Sequence, residues 1–396
     1  MKSPLRIGVV GCGQVSRVGH GPAIAADARA VIAACCDPDD ANRRRFAKRF
    51  GVPRAFGRLD EMLDADPLDA VVIATPPMLH AEMVEACAER VPAILCEKPL
   101  AATLEDCNRI IAARDRHGIL LQIGHSKRFE TGFAKILQWV RDGLIGPVHQ
   151  VSIEWHYYLP DLHAGFVGWS LDRLQRWGID LRKKYGMWRL EDPDSGGGDL
   201  FDHGPHYFDL LRFILADIES VCCETRKLVD NRAHEDMSVS LLTLMDGTVV
   251  QFAKSCHAVG RPSGHEVGHV YGQTGKIWFE AIQEYQHKPM RLRIYRRRNV
   301  FADAWTHVRL PQGRRHTLYF RQMRHFIDRL TGQVTLSPPC EAPWAATAED
   351  ARLALAWLRA AYHAAERHVV VRWDELPSMF PIEVDRVASS AGTGLG

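Results

Sequence analysis

Apolar and polar positions follow one rhythm in the first third of this chain and another afterwards. Near the N-terminus, short continuous apolar runs, Leu5 to Val10, Ala30 to Cys36, Ala70 to Ala74, Ala93 to Cys96 and Leu120 to His125, alternate with stretches of helical spacing. Runs apolar on both faces are typical of parallel strands covered by helices, so this part predicts a strand–helix–strand alternation. Its helices are expected after His20-Gly21-Pro22, through Phe46 to Phe50, over Leu59 to Ala65, up to Arg90 and from Thr103, with a short strand at Ala55-Phe56. From Val148 the period shortens to two. Val148 to Tyr158, Ser220 to Leu228, Lys276 to Glu280 and Arg291 to Tyr295 read as strands, and Ser238 to Met245 and Thr248 to Ser255 flank Asp246-Gly247, a hairpin turn signal. Helices are expected at Leu318 to Leu330 and Ala348 to Glu366, then a last strand from Val369 to Trp373. The expectation is an α/β chain with a first domain over 1–126, a second over 127–385 and a Gly/Ser-rich tail over 386–396.

Composition changes this picture little. A chain of 396 residues is long enough for two cores, and 46% hydrophobic, 25% charged and net +2 give no field that advertises nucleic acid or membrane. The first residues run straight into a strand and no apolar run reaches spanning length, which reads as cytoplasmic. None of the ten cysteines is spaced C-x-x-C, and two pairs are adjacent, so they read as free thiols in a reducing compartment.

The chemistry is foreshadowed at the first turn. Gly11-Cys12-Gly13-Gln14-Val15-Ser16 follows the first strand, and Asp37 closes the second, 24 residues after Gly13. Glycines allow a tight turn and close approach of a pyrophosphate, a helix N-terminus attracts its charge, and an acid at the second strand end holds the adenosine ribose. Ser16 stands where glycine or alanine is usual, but is small enough for helix–strand packing. Asp39 and Asp40 add negative charge that repels a 2′-phosphate, so NAD is expected over NADP. An arginine from Arg43-Arg44-Arg45 reaching back would admit NADP; otherwise these form a solvated helix face. Thr75, Pro76 and His80 follow the fourth strand and Glu97-Lys98-Pro99 the fifth, at the carboxyl edge where doubly wound sheets bind ligands.

In the second half, Gly196-Gly197-Gly198 precede a helical stripe in which Asp202 and His206, four apart, share one face. A carboxylate holding an imidazole is general-base equipment, and equally a satisfied helix-surface pair.

Taken in order, the glycine turn, T-P-x-x-x-H, E-K-P and G-G-G followed by D-x-x-x-H resemble the glucose-fructose oxidoreductase / inositol dehydrogenase / MocA family over roughly residues 5 to 370. The resemblance implies an N-terminal Rossmann dinucleotide-binding domain and a C-terminal α+β domain with a large open, mainly antiparallel sheet, one face of which serves a homodimer or homotetramer. It places Lys98, Asp202 and His206 at catalytic positions. Gly11, Gly13, Asp37, Thr75, Pro76, His80 and Glu97 fall at cofactor positions, with Gln14, Val15 and Lys98 beside them. Lys98, Arg128, His156, Trp188, Asp202 and His206 are the candidate substrate contacts. The implied activity is NAD-dependent oxidation of a secondary alcohol on a sugar or cyclitol, or its reverse. Alternatives are an NAD-dependent glycosidase using transient oxidation and a non-catalytic NAD sensor.

Further expectations concern irregular stretches. The Trp- and Arg-rich segment between Leu159 and Asp194 reads as a substrate cover. Arg291 to Arg298 reads as a solvated edge strand, and His265-Glu266-Val267-Gly268-His269 as a Gly-rich loop without a metal. A cis Lys98–Pro99 bond is expected, to turn the chain sharply while Lys98 faces the crevice.

Overall fold

The computed structural model describes residues 3–157, 192–229, 232–257, 265–282, 290–297, 303–311, 313, 317–333 and 345–380. Its chain forms two compact units, one of residues 1–138 with 311–355, the other of 139–310 with 356–396.

In the first unit, strands β1 (Leu5–Val10), β2 (Ala30–Cys36), β3 (Arg54–Phe56), β4 (Ala70–Ile73), β5 (Ala93–Cys96) and β6 (Leu120–Ile123) form a sheet of order β3-β2-β1-β4-β5-β6. All its strand pairs are parallel. Between them run α1 (Gly21–Ala25), α2 (Asp40–Phe50), α3 (Leu59–Ala65), α4 (His80–Ala88) and α5 (Leu104–His117). Side chains of Asp39 and Thr103 cap α2 and α5, accepting from the N–H groups of Asn42 and Asp106. The first helical segment departs from expectation: the chain is already helical at Gln14, and a π-helical stretch, Ser16–His20, leads into α1. Pro22 has no N–H to give the preceding turn, and a widened ladder accommodates it, with Gly21 N–H donating to Ser16 O.

The single boundary expected at 126/127 differs from this division. Helix α6 (Thr131–Arg141) lies mostly within the first unit, and α8 (Leu318–Thr331) returns to it from late in the chain. Phe320, Met323, Phe326 and Ile327 of α8 share a buried cluster with Ile7, Val9, Val72 and Leu95. The division falls inside α9 (Ala348–Arg367). Lys98–Pro99 is cis.

The second unit is built on β7 (Val148–His156), β8 (Ile218–Arg226), β9 (Met237–Leu244), β10 (Val249–Ser255), β11 (His265–Gly272), β12 (Gly275–Ile282), β13 (Arg291–Arg297), β14 (Asp303–Val308) and β15 (Val371–Arg372). Their order is β14-β13-β12-β11-β7-β10-β9-β8-β15. Pairing is antiparallel except between β7 and β10, which run parallel. Helix α7 (Asp199–Ile214) carries a long buried stripe that includes Leu200, Phe208 and Leu211.

Two expectations are corrected here. His265 to His269 is not a loop but the start of β11, whose residues alternate in burial; Gly268 sits opposite Phe279 of β12, where a side chain would collide with that ring. Arg291 to Arg297 is not an edge, because β14 pairs outside it. Two of its arginines are engaged: Arg291 bridges to Glu280 at 2.8 Å, and the Arg293 guanidinium lies 4.6 Å from the Trp278 ring centre. Among the described residues no helix is long and apolar enough to cross a membrane, and the described cysteines are free thiols.

Candidate active site

The nucleotide end of the first unit is assembled at the carboxyl edge of its sheet. Gly11 has φ +85°, and a Cβ there would stand 2.6 Å from Ala74 O, so the turn between β1 and the helix tolerates no side chain. Nothing lies within 4 Å of the place a Gly13 side chain would take, which leaves the loop open above its backbone. Ser16 Oγ donates to Gly11 O at 2.5 Å, so the serine that departs from the usual pattern fastens the turn. Gln14 is exposed and Val15 half-buried at the start of the helical segment.

Asp37 is buried where β2 ends. Its carboxylate accepts from Cys12 N–H at 2.7 Å and Asp39 N–H at 2.8 Å, fixing it against the glycine turn. Arg43 folds back, but its guanidinium is taken up by donating to Asp37 O at 2.6 Å and pairing with Asp40 at 2.6 Å, which keeps NAD as the expected dinucleotide, while Arg44 and Arg45 are exposed. Thr75 Oγ1, just after β4, is a buried hydroxyl oxygen with no hydrogen-bond partner among the described residues. The turn opened at Gly11 and Gly13, the fixed acid and this unsatisfied hydroxyl together fit a dinucleotide.

His80 is fully buried and serves the backbone. Its Nε2 faces Thr75 O at 2.9 Å and its Nδ1 faces Pro99 O and Leu100 O at 3.1 Å, tying together the loops after β4 and β5. Burial holds its pKa below the ordinary histidine value. Glu97 is buried beside it. Burial pushes that carboxyl upward, but the hydrogen bond and charge of His20, 2.8 Å away, together with Lys98, outweigh the penalty and hold it below the usual range. His20 was not a candidate from sequence, since nothing in S-R-V-G-H-G marks it. Lys98 is half-buried, its N–H donating to Glu97 Oε2 at 3.1 Å. Arg128 is buried in the same unit, 3.2 Å from Asp350 at the start of α9.

In the second unit, Gly196 (φ +97°) and Gly197 (φ +155°) bend the chain into α7. Gly198 lies so close to Glu235 O that a side chain would collide with it. The Glu235 carboxylate accepts from Gly198 N–H at 3.0 Å, Leu200 N–H at 2.9 Å and the Tyr362 hydroxyl at 2.8 Å, and so closes the helix start; burial pushes its pKa up to about 7. Asp199, Asp202, His203 and His206 follow at helical spacing along one side of α7. His206 is buried, with the Trp155 ring 6.4 Å from its own, and Asp202 Oδ2 stands 3.6 Å from His203 Nε2. His156, at the end of β7, is half-buried, and burial lowers its pKa. Trp188, with the segment read as a substrate cover, lies in 158–191, outside the described residues.

Beneath α7 is a cluster that sequence reasoning missed. Asp199 is fully buried; its Oδ1 accepts from the Tyr157 hydroxyl at 2.8 Å and its Oδ2 lies 3.2 Å from Lys254 Nζ. Lys254 is equally buried, its ammonium 4.0 Å from the Tyr157 ring centre and 4.8 Å from that of Trp155. Burial raises the Asp199 pKa, but Lys254, His203 and Tyr157 bring it below the usual carboxylate range, and burial lowers that of Lys254. A sequence signal did exist. The period-two reading of β10 puts Lys254 on the buried face with Val250 and Phe252, where a lysine demands a partner.

A parallel sheet whose first turn is open at Gly11 and Gly13 and whose second strand ends in a fixed acid defines an NAD-binding oxidoreductase domain. This chain belongs to the GFO/IDH/MocA family. Residues 5–125 match the model described as oxidoreductase family, NAD-binding Rossmann fold, and 133–278 match the GFO/IDH/MocA C-terminal domain. Among curated relatives, it is 26% identical over 286 residues to myo-inositol 2-dehydrogenase of Thermotoga maritima, covering 71% of this chain and 76% of that one. It is 29% identical over 239 residues to D-apiose dehydrogenase of Paraburkholderia graminis, covering 60% and 57%. Among solved structures, GenD2 from gentamicin A biosynthesis in complex with NAD is 25% identical, with TM-score 0.71, covering 94% of this chain and 97% of that one. An oxidoreductase domain protein from Kribbella flavida shares the fold at TM-score 0.76 and 22% identity, covering 94% and 99%.

Proposed function

We propose that the protein oxidises a secondary alcohol of a sugar, sugar derivative or cyclitol with NAD, or reduces the corresponding ketone. The observation that carries this reading is the side of α7 on which Asp202 and His206 follow the glycine turn, in a chain whose other unit carries Lys98 just after β5. Gly11, Gly13, Asp37 and Thr75 would hold NAD, which when bound supplies the two-electron acceptor. His206 takes the hydroxyl proton, Asp202 orients the imidazole and stabilises its charged form, and Lys98 polarises the substrate oxygen. Curated relatives named as dehydrogenases of myo-inositol and D-apiose support a polyol or sugar as the substrate class. Self-association through the nine-stranded sheet, and a cytoplasmic location, belong to the same proposal; Leu241 and Val249, exposed on neighbouring strands β9 and β10, support the former.

The test is incubation of the full chain with NAD and a panel of inositols, hexoses, uronates and glycosides, following NADH absorbance and aglycone release together. NADH in proportion to product supports the dehydrogenase. Aglycone release without NADH points to redox-neutral glycoside cleavage, and silence in both to an NAD sensor. His206→Ala and Lys98→Ala should each lower kcat by about 100-fold or more while NAD affinity stays close to wild type; full activity in Lys98→Ala would sink its assignment.

A further inference from the structure

His203 stands between two carboxylates and between two aromatic rings. Its Nδ1 lies 3.2 Å from Asp199 Oδ1 and 3.3 Å from Asp199 O. Both are acceptors, and a ring lone pair aimed at them would be repelled, so Nδ1 carries a hydrogen. Nε2 faces another acceptor, Asp202 Oδ2 at 3.6 Å, and by the same argument presents a hydrogen to it. The ring is held edge-on by Trp155 at 4.2 Å and Tyr157 at 5.8 Å. Asp199 itself cannot swing away, because Tyr157 and Lys254 engage its two oxygens and both carboxylate and ammonium are buried. An ion pair sealed under a helix is costly to maintain. Here it sets a side chain that reaches from the buried layer to Asp202.

We propose that His203 is a positioning residue for Asp202, anchored from below by Asp199, Lys254 and Tyr157, so that the reaction depends on a chain running from β10 through α7 and not on Asp202 alone. The inference rests on the role given to Asp202 above. His203→Phe keeps the ring against Trp155 and Tyr157 but removes both nitrogens; His203→Gln places an amide N–H where Nε2 was, and His203→Asn places one where Nδ1 was. With the substrate that the wild-type protein turns over, His203→Phe should lower kcat about 10–100-fold while KM and NAD affinity stay within about two-fold. His203→Gln should recover most of that loss and His203→Asn should not. Lys254→Met, which removes the anchor's charge and keeps its length, should lower kcat in the same direction.

The proposal is overturned if His203→Phe stays within about two-fold of wild-type kcat, if its loss lies in KM, or if His203→Asn rescues as well as His203→Gln. Asp202→Asn is measured alongside. If it is fully active, the reading of the reaction fails; if it is impaired while His203→Phe is not, only the present inference fails. One readout needs no turnover: ¹⁵N shifts of the His203 ring in the full chain should show a hydrogen on both ring nitrogens, and a neutral ring of either tautomer would refute the arrangement.

Discussion

Both units bury carboxylates beside the start of a helix, but they satisfy them by different means. In the first, Asp37 is held by the backbone N–H groups of Cys12 and Asp39. Those donors come with the turn itself and survive any side-chain change that spares the loop. In the second, Asp199 is held by three side chains, Tyr157 after β7, His203 one turn along α7 and Lys254 on β10. Each of these must be correct for the others to be tolerable. Charge supported by backbone is robust and local, whereas charge supported by other charges is fragile and couples distant segments.

The strongest way to break this contrast is Asp199→Ala, which leaves the Lys254 ammonium buried without its counter-ion. Urea denaturation should show a loss of about 3–5 kcal/mol, and a loss under about 1 kcal/mol would mean that water or rearrangement relieves the site and that the cluster is not cooperative. Glu97 is an intermediate case, since its support is mixed: the His20 side chain, with the charge and backbone N–H of Lys98. Glu97→Gln should cost about 1–3 kcal/mol at neutral pH. The folded carboxyl is held below its ordinary 4.5, so the stabilisation is present above that value and is lost as pH falls through the lower folded one. Denaturation midpoints of wild type and variant should therefore converge in acid. Glu235 is displaced the other way. Unfolded, it releases its proton near 4.5; folded, it keeps it to about 7. Folding takes up a proton between these values, so stability should fall by about 3 kcal/mol as pH rises through that window. Thermal melts of Glu235→Gln should lack that slope.

Much of the first unit was legible because its elements are local. Apolar runs gave the strands of the parallel sheet, and Leu59–Ala65 emerged with the bounds expected. The π-helical stretch was not legible, because the glycines and Pro22 that mark a turn in sequence also suit a widened helix. In the second unit β14 was missed, and β11 was hidden by Gly268, whose missing side chain is explained only by the Phe279 ring on the neighbouring strand. The candidate site divides along the same line. Asp202 and His206 stand out by spacing and lie on α7 as expected. Asp199, His203 and Lys254 acquire meaning only when β7 and β10 run side by side beneath that helix, a parallel pairing that no local pattern announces. Arg128 and His80 carry motif signals, and the structure adds their engagement with Asp350 and with backbone carbonyls.

The return of α8 to the N-terminal sheet has a consequence for how the protein is made. Phe320, Met323, Phe326 and Ile327 complete a core whose other members are all synthesised before residue 96. At ribosomal rates of about 5–20 residues per second, roughly 10–40 s pass between the emergence of β6 and that of α8. Throughout that interval a nascent chain displays an apolar groove on an otherwise finished sheet. The nucleotide-binding half of this protein is thus first to be translated and among the last to be sealed, and its demand on chaperones is set by the length of the unit inserted within it.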